Sequence, residues 1–383
     1  MKGRASRMES GVVLRAALLA AICALLGIVH ADSRKTEPLW DLDLSKYGYQ
    51  APESLPTSRR HDLSLWSNAR GLTFTAPNVL VAYFETREEK TDLSSRDELQ
   101  PTDPYHLHAL FLDTDHGEVL AQGDWPVRPS IPCYFFAARD GKFVVADGEE
   151  LSFYSPDRLL IKRLKIPWLH EGPFKSWSAQ ISPDGETLLV QHGVGHKGAY
   201  GVQFDLYSVS QLSLLNTWET RNLAPLTLWG HEIAWTKRQE VFLETIDSEP
   251  KVLLRAQGGF CGPPSFINQD ALFVGCGSTQ MVVSTNGTIL SEVELGSVGV
   301  AMPGAIPSRN GSTFAIPTFV PGLFDSPTAR KMTVKVFNIG NAKSILMVDI
   351  PPKPGWGGIA LSPKGDLLAL GAGQFVRVYH VPQ

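Results

Sequence analysis

Short apolar segments alternate along this chain with turns rich in Pro, Asp, Asn and Gly, and from about residue 65 the alternation is unbroken. Two stretches are nearly the same, "AQISPDGETLLV" (Ala179 to Val190) and "IALSPKGDLLAL" (Ile359 to Leu370). Five looser copies begin at Leu72, Tyr134, Glu232, Pro264 and Gly304. Each copy joins two short strands through a few residues such as Asp-Gly, Asn-Gly or Lys-Gly, which supply the positive φ angles that tight turns need. A third strand follows each pair, usually alternating apolar and polar, as in "HLHALFLD", "VQFDLYSV" and "FVRVYHV". A fourth follows in most, as in "EVLAQGDW", "LLIKRLKIP" and "SLLNTWE". The copy from Glu232 is short, and the pattern does not place its last strand. No long stretch outside the N-terminus keeps a 3.6-residue apolar period. Four-stranded units repeated in this way are β-propeller blades, so the pattern predicts an all-β fold, a seven-bladed β-propeller.

The two ends of the chain bear on how the ring closes. After "FVRVYHV" only Pro382 and Gln383 remain, so the last copy lacks an outermost strand. "LWDLDLS" and "HDLSLW" near the N-terminus read as spare strands. An open blade edge exposes unpaired amides. The N-terminal segment is therefore expected to supply the missing strand and clasp the first blade to the last.

The first thirty residues have a different character. Lys2, Arg4 and Arg7 precede a 14-residue apolar run from Ala16 to Val29, which ends at "VHA" before Asp32. That run is shorter than the about 20 residues a membrane span requires. The pattern fits a signal peptide cleaved after Ala31. The expected organisation is residues 1–31 as signal peptide, 32–65 as a segment carrying the closure strand, and 66–383 as the propeller. Export to the periplasm or the exterior follows, with no membrane span after cleavage. Cleavage would remove four basic residues and one acidic residue and leave 31 basic against 38 acidic, a net charge of −7. No basic stripe is visible, which argues against nucleic acid as a partner; a monomer is expected. Cys133, Cys261 and Cys276 remain. Cys261 and Cys276 flank a hairpin whose turn, near Gln269, would bring them opposite each other. A disulfide and two buried thiols are both compatible with that spacing.

The Ser-Pro-Asp-Gly turn (Ser182 to Gly185) and the Ser-Pro-Lys-Gly turn (Ser362 to Gly365), each before a "LLxL/V" strand, resemble the repeats of bacterial WD-repeat-like, TolB-like and YVTN-like β-propellers. The resemblance implies a propeller fold and an exported lineage, and no fixed activity. The Trp-Asp ending of eukaryotic WD repeats and the Ser-x-Asp-x-Gly-x-x-Trp box of sialidases are both absent.

In a propeller the connections between second and third strands emerge on one face together with the links between blades. The three largest insertions are of that kind: residues 85–104, 191–200 and 317–330. Long loops on a rigid scaffold are where ligand-binding residues tend to sit. The blade links add Trp and charged residues. The candidate ligand-binding residues are Arg128, His170, Glu171, Lys175, Trp177, His192, His196, Tyr200, Trp229, Glu232, Phe319 and Trp356. Aromatic platforms with a few convergent polar groups suit a peptide, protein or saccharide ligand. For any single Trp, packing between blades is the simpler role. His192 and His196 are four apart in a Gly-rich stretch, so helical metal-site geometry does not apply to them. No Cys or Asp cluster completes a metal site, no catalytic grouping or Gly-x-Ser-x-Gly elbow is present, and no cofactor is indicated. A binding scaffold is the function expected. The alternative is an enzyme with its site at the channel mouth around His170, Glu171, His192 and His196, either a metal-dependent hydrolase or lactonase or a quinoprotein-like oxidoreductase.

Overall fold

The computed structural model of the chain describes residues 36–49, 71–87, 105–127, 133–147, 149–166, 177–196, 199–220, 226–246, 248–257, 259–295, 300–301, 304–319, 332–341, 343–350 and 358–383. These residues form seven antiparallel sheets, numbered here as blades 1 to 7 in chain order. Blade 1 consists of Gly71–Ala76, Val79–Arg87, Tyr105–Asp113 and Val119–Val127. Blade 2 consists of Tyr134–Ala137, Phe143–Ala146, Glu150–Tyr154 and Leu160–Lys165. Blade 3 consists of Trp177–Ile181, Thr187–His196, Ala199–Ser208 and Ser213–Thr220. Blade 4 consists of Leu226–Trp229, Glu232–Lys237, Glu240–Thr245 and Lys251–Arg255. Blade 5 consists of Ser265–Asn268, Ala271–Cys276, Thr279–Ser284 and Ile289–Glu292. In blade 6 two short pieces, Val300–Ala301 and Ile306–Pro307, share the first-strand position against Thr313–Phe319, followed by Met332–Asn338 and Leu346–Ile350. Blade 7 consists of Ile359–Leu361, Leu367–Ala372 and Phe375–His380, and its outermost strand is Trp40–Asp43.

The ring therefore closes through the N-terminal segment. Trp40 lies opposite Val378 and Asp43 opposite Phe375 in an antiparallel ladder. The strand comes from "LWDLDLS"; "HDLSLW", the other candidate, lies outside the described residues.

The first strands of blades 7, 1, 2 and 3 neighbour one another in turn, as do those of blades 4, 5, 6 and 7. Both faces of each sheet are covered by the adjoining blades. Accordingly the buried apolar side chains fall into clusters that each bridge two consecutive blades. Leu107 and Ala109 of blade 1 meet Phe135 and Phe143 of blade 2, and Phe204 of blade 3 meets Leu228 and Ile233 of blade 4. A fully buried Phe such as Phe143 or Phe153 contributes about 2–3 kcal/mol of transfer free energy.

The repeated Ser has a structural task. Ser182 Oγ accepts the Thr187 N–H at 3.0 Å, Ser308 Oγ that of Thr313 at 3.1 Å, and Ser362 Oγ that of Leu367 at 3.0 Å. Each hydroxyl satisfies a backbone donor at a tight turn, where an unpaired buried amide would be costly. The glycine that follows meets the preceding blade. Gly185 has φ +75, and a Cβ there would stand 2.8 Å from Arg139 N of blade 2.

Blade 4 departs from the expected register. The pair that begins at Glu232 forms its second and third strands, and "KVLLR" is its fourth. The inner strand is Leu226–Trp229, turned by Gly230 and His231 into Glu232. No helix among the described residues is long and apolar enough to cross a membrane.

Candidate functional site

The face from which the second-to-third connections emerge carries several of the candidate residues. Of the three insertions there, 191–200 is not a loop. The second and third strands of blade 3 continue past the sheet as a two-stranded extension in which Gly193 lies opposite Val202 and His196 opposite Ala199. His196 and Tyr200 are thus strand positions at the tip of a hairpin. Trp177 opens the first strand of blade 3 opposite His192, and Phe319 ends the second strand of blade 6 opposite Met332. The other two insertions fall mostly outside the described residues, as do Arg128, His170, Glu171, Lys175 and Trp356.

Two candidates are on the wrong side. Trp229 and Glu232 are paired across the first-to-second turn of blade 4, which belongs to the opposite face. Their assignment to the elaborated face followed from treating Gly230-His231 as a blade link. Trp229 is partly buried with Phe266 in the blade 4–5 core. Burial, together with the negative charge of Asp270, raises the carboxyl pKa of Glu232.

His192 is 4% exposed and faces Asp205, which has no exposure; His192 Nε2 and Asp205 Oδ2 are 3.6 Å apart. Asp205 Oδ1 accepts from Gln203 Nε2 at 3.0 Å and from Thr217 Oγ1 at 2.7 Å. Burial pushes the His192 pKa down, and the Asp205 carboxylate offsets part of the shift. The group is an interior network spanning the second, third and fourth strands of blade 3, not a ligand-facing residue. In blade 1, His108 Nδ1 is 2.7 Å from Asp124 Oδ1, so this imidazole too is engaged within its sheet. Trp125 packs among Phe135, Phe143 and Tyr154, which is the interblade role. Among the described residues no group of three His, Cys, Asp or Glu side chains is placed to hold a metal.

The residue that sequence reasoning missed is Phe260. It lies in the link from blade 4 to blade 5, on the same face as the hairpin, and is 77% exposed. Its backbone is fixed on every side. Gly277 N–H donates to Phe260 O at 3.0 Å, Cys261 N–H to Arg238 O at 2.7 Å and Gly262 N–H to Gly275 O at 2.8 Å. Cys261 and Cys276 are joined in a disulfide with their Cα atoms 4.0 Å apart. Gly259 rests against Gly277 so closely that a Cβ would stand 2.8 Å from its Cα. The signal available in the sequence was "GGFCGPP", a Phe between glycines and a cysteine. Among the described residues the free thiol is Cys133; it is buried and its pKa is pushed up by burial, which leaves it unreactive.

No protein-family model and no curated sequence matches the chain. Its fold is similar to solved structures. One is the WD40 domain of Neurospora crassa Pan2, at 11% identity with a TM-score of 0.53, covering 92% of this chain and 97% of that one. Another is Kluyveromyces lactis Hsv2p, at 10% identity with a TM-score of 0.48, covering 79% and 90%. The likeness to the Pan2 domain is one of fold: a WD40-like seven-bladed propeller.

Proposed function

We propose that this propeller is an exported, non-enzymatic binding scaffold whose peptide, protein or saccharide ligand engages the face bearing the blade 3 hairpin and Phe260. The observation that carries this reading is Phe260, a large apolar side chain 77% exposed on a backbone held by a disulfide and three hydrogen bonds. Exposing a phenyl ring to water is unfavourable, and a rigid backbone makes the exposure persistent. An aromatic so placed loses little conformational freedom on binding, which is the property of interface hot spots. The hairpin adds an edge that a ligand could lie along. The N-terminal pattern of Lys and Arg, apolar run and Ala31 supports export, where a disulfide is stable.

A random-peptide display library and a glycan array, each probed with wild type and with Phe260→Ala, test the reading. The expected result is a set of ligands that lose about tenfold or more in affinity on Phe260→Ala. Ligands indifferent to both Phe260→Ala and removal of the hairpin tip would sink it.

A further inference from the structure

The outermost strands carry a second feature, away from that face. In five blades a β-bulge recurs in the fourth strand, and the extra residues are Leu120, Ile161, Leu215, Leu253 and Leu290. A bulged residue has no cross-strand partner. Four of the five are exposed, from 36% at Leu215 to 56% at Leu120, whereas Leu253 is 7% exposed.

Blade 2 goes further. Leu159, Leu160 and Ile161 are consecutive and 68%, 45% and 45% exposed. Lys162 Nζ donates to Leu212 O of blade 3 at 2.9 Å, two residues before the exposed Leu214 and Leu215. Arg158, Lys162, Arg163 and Lys165 surround these side chains, and Asp157 is the one acidic residue from 155 to 165, in a chain whose net charge is −4. Arg158 lies 5.6 Å over the Phe111 ring, and Arg163 Nε is 3.4 Å from Glu150 Oε1 at the surface. Among the described residues, the bulged fourth strands of blades 1, 4 and 5 lack the combination. Leu120 has Glu118 and Asp124 for neighbours; Ile289 and Leu290 precede Glu292 and Glu294; blade 4 has Lys251 and Arg255, but its bulged Leu253 is buried.

We infer that the outer rim of blade 2, with the start of the blade 3 outer strand, is a docking surface for an anionic lipid bilayer. The aliphatic side chains are exposed and stand beside the turn between the third and fourth strands of blade 2. A bilayer accepts apolar side chains without a matching shape, and its anionic headgroups attract the flanking cations. A peptide strand added to the edge would need an unbroken ladder. The bulge at Ile161 interrupts that ladder where the aliphatic residues lie, and the regular part, Lys162–Lys165, includes none of them.

The test uses the full chain and sedimentation with phosphatidylcholine vesicles, with or without phosphatidylglycerol. Binding is expected only to the vesicles containing phosphatidylglycerol, and it should weaken with added salt. Lys162→Glu, Arg163→Glu and Lys165→Glu should each lower it by about fivefold or more, and the triple variant by on the order of a hundredfold. Leu160→Asn and Ile161→Asn should each lower it by about tenfold, and Leu290→Asn should leave it unchanged. Equal binding to both vesicle types overturns the proposal, because the cations would then play no part. Binding that ignores the blade 2 substitutions overturns it too, placing the contact elsewhere on the chain. Soluble polyglutamate that displaces the vesicles at comparable concentration would make an acidic protein the occupant and overturn it as well. All the substituted side chains are exposed, and an unchanged thermal melt of each variant confirms that the fold is intact.

Discussion

The indole Nε1–H of Trp40 donates to the carbonyl of Thr114 at 2.7 Å, joining the outermost strand of blade 7 to the end of the third strand of blade 1. The ring also covers Gly117, where a Cβ would stand 2.7 Å from it. One N-terminal residue thus completes a sheet and ties it to the next. Trp40→Ala should cost about 2 kcal/mol, less than a fully buried Trp because the side chain is only partly buried. Deleting residues 1–43 should cost more and expose the edge of Phe375–His380 to other chains. Urea unfolding and light scattering check both outcomes; an unchanged unfolding midpoint for Trp40→Ala would show that the clasp contributes nothing.

Gly185 and Gly340 both have positive φ, +75 and +78, but differ in surroundings. A Cβ at Gly340 meets nothing within 4 Å, whereas one at Gly185 meets the backbone of Ala138 and Arg139. Gly340→Ala should therefore cost about 1 kcal/mol for backbone strain alone, and Gly185→Ala about 3 kcal/mol because blades 2 and 3 must also separate. Equal costs in chemical unfolding would mean that the repeated turn glycine serves only its own turn.

Most of the strands were legible in the sequence, because a propeller strand is a short apolar run between turn residues and both signals are local. The Ser182 and Ser362 turns stood out because each needs the same bond, from the backbone N–H five residues on to the Ser Oγ. What was not legible was a strand's rank within its blade. "EIAWTKRQEVFLE" reads as a first-and-second pair, yet it is a second-and-third pair behind the four-residue strand Leu226–Trp229; nothing local distinguishes the two, and the error moved Trp229 and Glu232 to the wrong face. Gly193 and Gly195 read as loop because glycine disfavours strands, but a long ladder holds them. Phe260 was hidden for another reason. Its exposure is fixed by contacts with residues 275 to 277 and with Arg238, which no window around Phe260 contains.

The disulfide closes a segment of 15 residues, for which loop-closure entropy gives about 3 kcal/mol. Replacing Cys261 and Cys276 by Ser should lower stability by about that amount, provided the native contacts persist. Because the same bond anchors the backbone beside Phe260, the variant should also bind any ligand of the Phe260 face more weakly than its loss of stability explains, measured well below the unfolding temperature. Full affinity in the reduced, folded protein would mean that the hydrogen bonds from Gly277 and Cys261 suffice to hold the ring in place.

His192 sets the expected response to acid. Burial favours its neutral form, so its folded pKa lies below the unfolded value of about 6.5. As pH falls through that value the unfolded chain takes up a proton that the folded chain refuses. The contribution is therefore intact above about pH 6.5 and declines below it, by at most about 1.4 kcal/mol per pH unit for one proton, until the folded pKa is reached. Asp205, 3.6 Å away, limits the decline, because its negative charge makes a protonated His192 more tolerable. His192→Gln should flatten this part of the pH dependence of urea unfolding. Asp205→Asn should extend the decline to lower pH, since the imidazole would lose its only opposing charge within the blade 3 network. Wild type and His192→Gln curves that run parallel from about pH 7.5 to 5 would show that another group governs the acid limb.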